Sequence, residues 1–425
     1  MERGFGRGVR CPAGSTTLLG AIRPVWRGIR AEAAGTGWRE AHDLLRVSAE
    51  RPAGLRPYLR YFLGLGTWGF GGPIATVGYM QRDLVEKRGW IDRQDFLDGV
   101  ALGQTMPGPL AAQVCMWIGY LRAGALGAAA IAVPFILPSF LLVLGIAVLY
   151  VQYQGLPVVQ SLFYGIAPGV MAIILLAALR LARLTNRRDP RLWLISAVIA
   201  AVTAVTGAEV ALLFIAAGLL MVLLDAPPRG LRRLLPLALP MAPPAVTGIH
   251  FAPGTLGDIA LFFIKAGAFI FGSGLAIVPF LRQGVIVEHH WLGERQFLDA
   301  VAIGLITPGP VVITAAFIGY LVAGIAGALV ATVAIFLPIY LGVVVPGRWF
   351  VRHRSNARVQ AFVRGATAAA AGAIAGATLI LVRQAVVDWI TAVIAVVSLA
   401  VLWRFKVREP YIVLVTAGLG VLLHR

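Results

Sequence analysis

The chain has 425 residues, 59% hydrophobic and 13% charged, with a mean hydropathy of +0.83. Soluble domains carry about 25% charged residues, so this composition excludes an ordinary soluble protein and indicates one whose solvent is largely lipid. The formal net charge of +18 does not indicate nucleic acid, because the arginines are spread over short loops and an N-terminal tail and make no single basic surface with interleaved aromatics; they read as topology signals.

Residues 1–57 hold ten arginines and lack the apolar core of roughly 7–15 residues that a signal peptide needs. They are expected to be a cytoplasmic tail, helical near "GWREAHDLLRVSAE". The cysteines, Cys11 and Cys115, give neither a disulfide framework nor a thiolate metal site. Apolar runs of about 18 residues or more, enough to cross ~30 Å of hydrocarbon, then recur at 58–79, 100–121, 125–151 and 161–182. The stretch 192–225 continues the series, and a Pro-rich linker follows at 226–254. Further runs lie at 258–281, 301–322, 323–345, 361–382, 389–403 and 411–424. The expected fold is an all-α polytopic membrane protein with about 10–13 membrane helices, some of them broken, and no soluble domain.

The sequence repeats itself. A shift of 201 places "FLGLGTWGFGGPIATVGYM" (62–80) on "FIKAGAFIFGSGLAIVPFL" (263–281), and "WIDRQDFLDGVALGQTMPGP" (90–109) on "WLGERQFLDAVAIGLITPGP" (291–310). One residue is then dropped, and at a shift of 200 "IGYLRAGALGA" (118–128) lies on "IGYLVAGIAGA" (318–328) and Pro138 on Pro338. A Trp, an Asp, a PGP and an IGYL at matching offsets are not a composition effect. Two homologous halves, 58–225 and 255–425, are joined by the linker.

Loop charges bear on how the halves face. The segment 152–160 has no Lys or Arg and is followed, after the next apolar run, by Arg183, Arg187, Arg188 and Arg191; in the second half Arg348, Arg352, Arg354 and Arg358 precede the equivalent run and only Arg383 follows it. Positive loops favour the cytoplasm, so equivalent loops are expected on opposite sides and the halves inverted. This requires an odd number of crossings between equivalent points. Either 192–225 crosses twice and the linker's "LLPLALPMAPP" crosses again, or one segment is re-entrant.

Within the apolar stretch from Val100 to Leu121 stands "QTMPGPLAAQ" (104–113). Proline is tolerated at a helix start, where its missing N–H costs nothing, whereas a Pro-Gly step prevents a continuous helix, so PGP reads as the start of a new helix. At membrane depth the first donors after it, on Leu110 and Ala111 and on Val311 and Val312 in the second copy, lack partners unless protein, water or a ligand supplies them. Free N–H groups at a positive dipole end suit an anion. "FGGP" (70–73) follows the same logic and "FGSG" (271–274) is its degenerate copy. A PGP can also merely kink a helix or end it at the interface.

The candidate anion-binding residues are thus Phe70, Gly71, Gly72, Pro73, Pro107, Gly108, Pro109, Gly272, Ser273, Gly274, Thr307, Pro308, Gly309 and Pro310. Gln104 and Gln113 are added as amides able to orient an oxyanion. Lys265 is added because intramembrane charges are usually functional; its first-half counterpart is Gly64. Asp98 and Asp299 match across the repeat and are expected to cap the PGP-bearing segment or to pair with arginines. The adjacent His289 and His290 do not share a helical face, and no metal or cofactor is expected. "GLGTWG" (64–69) matches a dinucleotide fingerprint but lies in a membrane segment without βαβ context. No other enzyme motif occurs, so an enzyme is not expected.

The order Phe70–Pro73, Gly78, Tyr79, "QRDLVEKRGW" (81–90), "QTMPGPLAAQ" and "IGYLRAG", with "FGSG", "TPGP" and "FIGYLVAG" in the second half, resembles the chromate transporter (CHR) family in its long, two-domain form. The likeness runs from about Tyr58 to the C-terminus. It departs from the usual pattern at Met106, where the family more often has Leu, and at FGSG. The resemblance implies export of chromate from the cytoplasm across the inner membrane, with sulfate as a related anion, and it implies that the PGP and FGGP positions are signature residues. The expected partners are the oxyanion and the lipid bilayer, with a homodimer as the assembly to test. The alternatives are a sulfate or other oxyanion permease, and a membrane scaffold or enzyme whose PGP breaks are purely structural.

Overall fold

The computed structural model describes residues 52, 54–70, 72–206, 211–227, 255–270, 274, 277–347, 349, 353, 356–405, 407 and 409–423. The tail's expected helix, the linker's expected crossing, Gly71, Gly272 and Ser273 lie outside these. The first half consists of α1 (Arg56–Trp68), α2 (Gly72–Met80) continued by a π-helical turn (Gln81–Lys87), α3 (Arg93–Thr105), α4 (Leu110–Tyr153), α5 (Pro157–Asn186), α6 (Pro190–Thr206) and α7 (Ala211–Asp225). The second half repeats the order: α8 (Thr255–Ala268), α9 (Ile277–Arg282) with its π turn (Gln283–Glu288), α10 (Glu294–Ile306), a 3-10 turn (Val311–Ile313) and α11 (Thr314–Val344), then α12 (Ala357–Ala385), α13 (Trp389–Phe405) and α14 (Glu409–Leu423).

Helices α4 and α11 each contain a reversal. Ala123 (φ −145°, ψ 32°) and Gly124 (φ 61°, ψ −148°) interrupt α4, and Ala323 (φ −143°, ψ 32°) and Gly324 (φ 60°, ψ −149°) interrupt α11 with nearly the same angles. The region that Gly124 and Gly324 occupy is open almost solely to glycine. Across the reversal the two arms lie in contact: a Cβ built on Gly119 falls 2.3 Å from the Gly127 carbonyl oxygen, and on Gly319 2.3 Å from that of Gly327. Small residues here let the backbones approach. The apolar stretch from 110 to 153, two runs by sequence, is thus a short arm folded back on a long one.

The short arms form hairpins. Tyr58 donates its hydroxyl to the Trp90 carbonyl at 3.2 Å, Arg122 donates to the same carbonyl, and the Trp117 indole donates to the Asp95 carbonyl at 2.9 Å. The start of α1, the end of the first π turn, the start of α3 and the end of the first arm of α4 therefore meet at one end of the bundle, here the Tyr58 end. A 13-residue helix reaches only ~20 Å, short of the ~30 Å of a bilayer core, so neither α1 nor α3 is long enough to cross one. The long arm of α4 then runs to the opposite end and the 30-residue α5 returns. An ion pair of 3.0 Å between Arg191 and Asp225 holds both ends of the α6–α7 hairpin at the Tyr58 end.

The second half is built from the other end. The Arg295 guanidinium donates to the Gln160 carbonyl at 3.3 Å and Tyr150 donates to the Asp299 carboxylate at 2.7 Å, so α10 starts beside the α4–α5 turn, whereas its counterpart α3 starts at the Tyr58 end. Tyr340 donates to the Ala125 carbonyl at 3.0 Å and Arg364 pairs with Asp225 at 2.6 Å, which returns α11 and the start of α12 to the Tyr58 end. Equivalent points of the two halves therefore lie at opposite ends of the bundle.

Packing interlocks the halves. Helix α5 packs against α13 and α14, α12 against α6 and α7, and α5 and α12 against each other. Glycine makes the close crossings possible: a Cβ at Gly165 would lie 2.0 Å from the Thr416 carbonyl oxygen, and one at Gly365 2.3 Å from that of Ala217. Four helical stretches, Leu110–Tyr153, Pro157–Asn186, Val311–Val344 and Ala357–Ala385, are long and apolar enough to cross a membrane, and α4 and α11 leave most of their apolar windows unburied by protein. Leu126, Val133, Leu141 and Leu149 on α4 are exposed, as are Ile325, Leu329 and Val333 on α11. Such a surface belongs in lipid. The protein is a multi-pass membrane protein.

Candidate functional site

The breaks form as their chemistry demands. Pro109 (φ −72°, ψ 120°) is the N-cap of α4 and Pro310 (φ −78°, ψ 130°) that of the second-half 3-10 turn. Gly108 (φ 138°), Gly309 (φ 95°) and Gly72 (φ 75°) take the positive φ that L side chains rarely adopt. The backbone N–H of Gly108 donates across the halves to the Ile270 carbonyl at 2.6 Å, and the Ser139 hydroxyl donates to the Pro308 carbonyl. A Cβ built on Gly274 would lie 3.6 Å from that of Val311 and 3.8 Å from that of Pro109, so Gly274 sits between the two PGP turns. The hairpin tips of both halves converge at one depth.

They converge crosswise. The first-half FGGP turn and the second-half TPGP turn share a cavity of about 70 Å³, lined by Gly69, Phe70, Gly72 and Pro73 on one side and by Thr307, Gly309 and Val311 on the other. That is several times the room one water needs. Arg180 on α5 and Glu409 at the start of α14 complete the polar part of the wall, with Ile173, Leu176, Leu305 and Leu402 apolar around them. Thr307 donates its hydroxyl to the Gly304 carbonyl at 3.2 Å, which leaves the oxygen as an acceptor. One guanidinium, on the exposed Arg180, and the two turns line a small, partly open site that can receive a compact anion, with the Glu409 carboxylate on the same wall.

Several expected residues take other positions. Pro107, Gly108 and Pro109 are not on the wall of this cavity. Gln113 is fully buried and donates its amide to the carbonyls of Met106, at 3.3 Å, and Pro107, at 2.8 Å, so it clamps the break and its donors are spent. Its Oε1 is buried without a partner, an acceptor unsuited to an oxyanion. Gln104 is exposed on α3. Lys265 is exposed on the outward side of α8 and does not line the cavity, the inward face of α8 being made by Ile259, Phe262, Phe263 and Ala266. Asp98 accepts from the Gln94 amide at 2.8 Å, and Asp299 accepts from Tyr150 of the other half and feels the charge of Arg295, an arginine partner of the kind expected.

Sequence reasoning missed Arg180, Glu409 and Ser139. Arg180 interrupts the apolar run 161–182, the same signal that drew attention to Lys265, yet it merges by eye into the arginines that follow. Glu409 matches Glu209 at the 200-residue shift, and a carboxylate that recurs at this offset is a signal that the repeat could have supplied. Ser139 carried no signal, since its counterpart is Ile339.

The family model described as chromate transporter matches residues 57–223 and 257–422, once per half. The chromate transport protein of Cupriavidus metallidurans is 49% identical over 374 residues, covering 87% of this chain and 93% of the relative. The probable chromate transport protein of Synechococcus elongatus is 45% identical over 391 residues, covering 90% and 99%, and the chromate transport protein of Pseudomonas aeruginosa 30% identical over 400 residues, covering 90% and 95%. No solved structure matches. With the family matched in both halves and relatives alike over nearly their full length, the chain belongs to the chromate transporter family.

Proposed function

We propose that the protein exports chromate from the cytoplasm, with its two halves inverted in the membrane and the anion held in the cavity between the FGGP and TPGP turns. The observation that carries this reading is the meeting of these turns, one from each half, on a cavity whose wall includes Arg180. The Arg180 guanidinium supplies charge and planar N–H donors, and the helix starts supply further donors. Glu409 on the same wall is a negative group that opposes the anion and so limits how tightly it is held.

Export agrees with the fields on the molecule. Arg82, Arg88, Arg183, Arg187, Arg188, Arg191 and Arg358 lie at the Tyr58 end, which makes that end cytoplasmic by the positive-inside rule. Each charge is worth ~2.3 kcal/mol per 100 mV, so a dianion leaving a negative interior gains roughly 4.6 kcal/mol, on the order of a thousandfold gradient.

The test is flux of labelled chromate in vesicles of known orientation, with sulfate as competitor, alongside growth on chromate with and without the intact gene. Chromate loading from the cytoplasmic face, with sulfate competing weakly, is the expected result. Sulfate flux without chromate flux would make the protein a sulfate permease, and no oxyanion flux would leave the turns a structural device.

A further inference from the structure

A second cavity, of about 930 Å³, runs along the outer face of the first hairpin from the Tyr58 end to Gly69, and Gly69 also lines the central cavity. Its charged residues are Arg56, Arg60, Arg82 and Arg88 against the single carboxylate of Asp83. Asp83 is engaged by Arg82, at 2.9 Å. Arg88 lies over the rings of Trp90, at 4.6 Å, and Tyr61, at 5.3 Å. A guanidinium stacked on aromatic faces keeps its in-plane N–H edge for an anion.

The equivalent groove of the second half lacks these arginines and is filled by aromatic rings, with Lys265 in the place of Gly64 and Asp258 in that of Pro57 as its charges. Gly257, Leu261, Gln283 and His289 stand where Arg56, Arg60, Arg82 and Arg88 stand in the first half, and Gly284 replaces Asp83. The glycine lets Phe262 fill the space: a Cβ built on Gly284 would fall 1.9 Å from the Phe262 ring. Phe262 stacks on Phe280 with centroids 5.6 Å apart, and Phe280 on Phe269 at 6.5 Å. A fold of two repeats therefore carries an open basic groove at one end and an aromatic plug at the other.

We propose that the groove of Arg56, Arg60, Arg82 and Arg88 captures the tetrahedral dianion at the Tyr58 end and delivers it past Gly69 to the central cavity, so that substrate loads from this end alone. This rests on the central cavity being the anion site. A groove of one sign focuses field lines and raises the on-rate of a counter-charged substrate by about 10 to 10³, an effect that ionic strength screens.

The experiment uses the full chain reconstituted in vesicles of zwitterionic lipid, oriented with the Tyr58 end outward, and chromate as the probe. R56Q/R60Q and R88Q should raise the KM for chromate about tenfold at low salt with turnover at saturation kept; the difference should shrink at high salt, and R56K/R60K should restore the wild-type KM. Chromate presented at the other end should show no change. An unchanged KM at low salt, or an equal rise from both ends, would overturn the proposal. A KM effect found only when anionic lipid is present would also overturn it, because the arginines would then be serving lipid headgroups. Absence of chromate flux in the wild-type protein would instead remove the transport reading on which the groove depends.

Discussion

Gly309→Ala tests the central site most directly. Its φ of 95° is unfavourable to a Cβ by about 1–3 kcal/mol. The added atom would lie 2.2 Å from the Ser139 hydroxyl oxygen and 3.3 Å from the Ser139 Cβ. Ser139 has to rotate, and its bond to the Pro308 carbonyl is lost, at about 1 kcal/mol. The sum, about 2–4 kcal/mol, lies within a typical stability of 5–15 kcal/mol, so the protein should still insert and fold. The cavity is smaller and the turn displaced, and a misplacement near 1 Å can cost ~100-fold in rate. The assay is initial-rate chromate uptake into inside-out vesicles, divided by the amount of transporter measured by immunoblot on the same membranes. Transport per molecule should fall about 100-fold while the amount falls far less. Adding Ser139→Ala should recover stability without recovering rate. A wild-type rate per molecule in Gly309→Ala would take the TPGP turn out of the anion path.

Gly108→Ala should behave differently from its counterpart: its Cβ would press at 2.9 Å on the Gln113 amide and on Ile339, so the amount of protein should drop while the rate per surviving molecule stays within a few-fold. Arg180→Gln should abolish chromate transport at normal protein levels, whereas Glu409→Gln should lower the KM; a raised KM in steady-state kinetics would reject the reading that this carboxylate opposes the anion. Lys265→Gln should leave the chromate KM unchanged, and a raised KM in the same flux assay would return this exposed lysine to the site. Single cysteines within 152–160 and at 356–358 should label with an impermeant maleimide from opposite faces of the membrane, and same-face labelling would refute the inverted arrangement. Gly124→Ala and Gly324→Ala meet open space but a glycine-only conformation, so each should lower the melting temperature by a similar step, worth about 1–3 kcal/mol.

The helix starts at PGP were legible because proline and glycine act through local geometry, and the two halves because Trp90 and Trp291, Asp98 and Asp299 recur at one offset. The reversals at Gly124 and Gly324 were less so: "RAGALGA" served as a repeat marker, and nothing in its hydropathy says that the chain doubles back there. Which turn meets which depends on how the halves cross, a tertiary fact, so the sequence marked the turns without saying that the first-half FGGP faces the second-half TPGP. The outward position of Lys265 was hidden for a related reason: an apolar run shows that a charge is immersed but not which way its helix is rotated. Gln113 looked like a donor for a ligand, yet the carbonyls stranded by the break lie nearer and take its amide.

The exchange of packing partners between α5 and α12 bears on how the chain is made. As α5 leaves the translocon, the groove at Gly165 that receives Thr416 and Gly420 has no occupant, and it stays bare until the last helix, α14, has been synthesised. The α6–α7 hairpin likewise waits for α12. The first half is therefore a nascent intermediate with its most closely fitted surfaces open to lipid and to neighbouring chains. A chain stopped before Glu409 would lack the helix that fills the groove at Gly165 and should be lost from the membrane faster than the full chain.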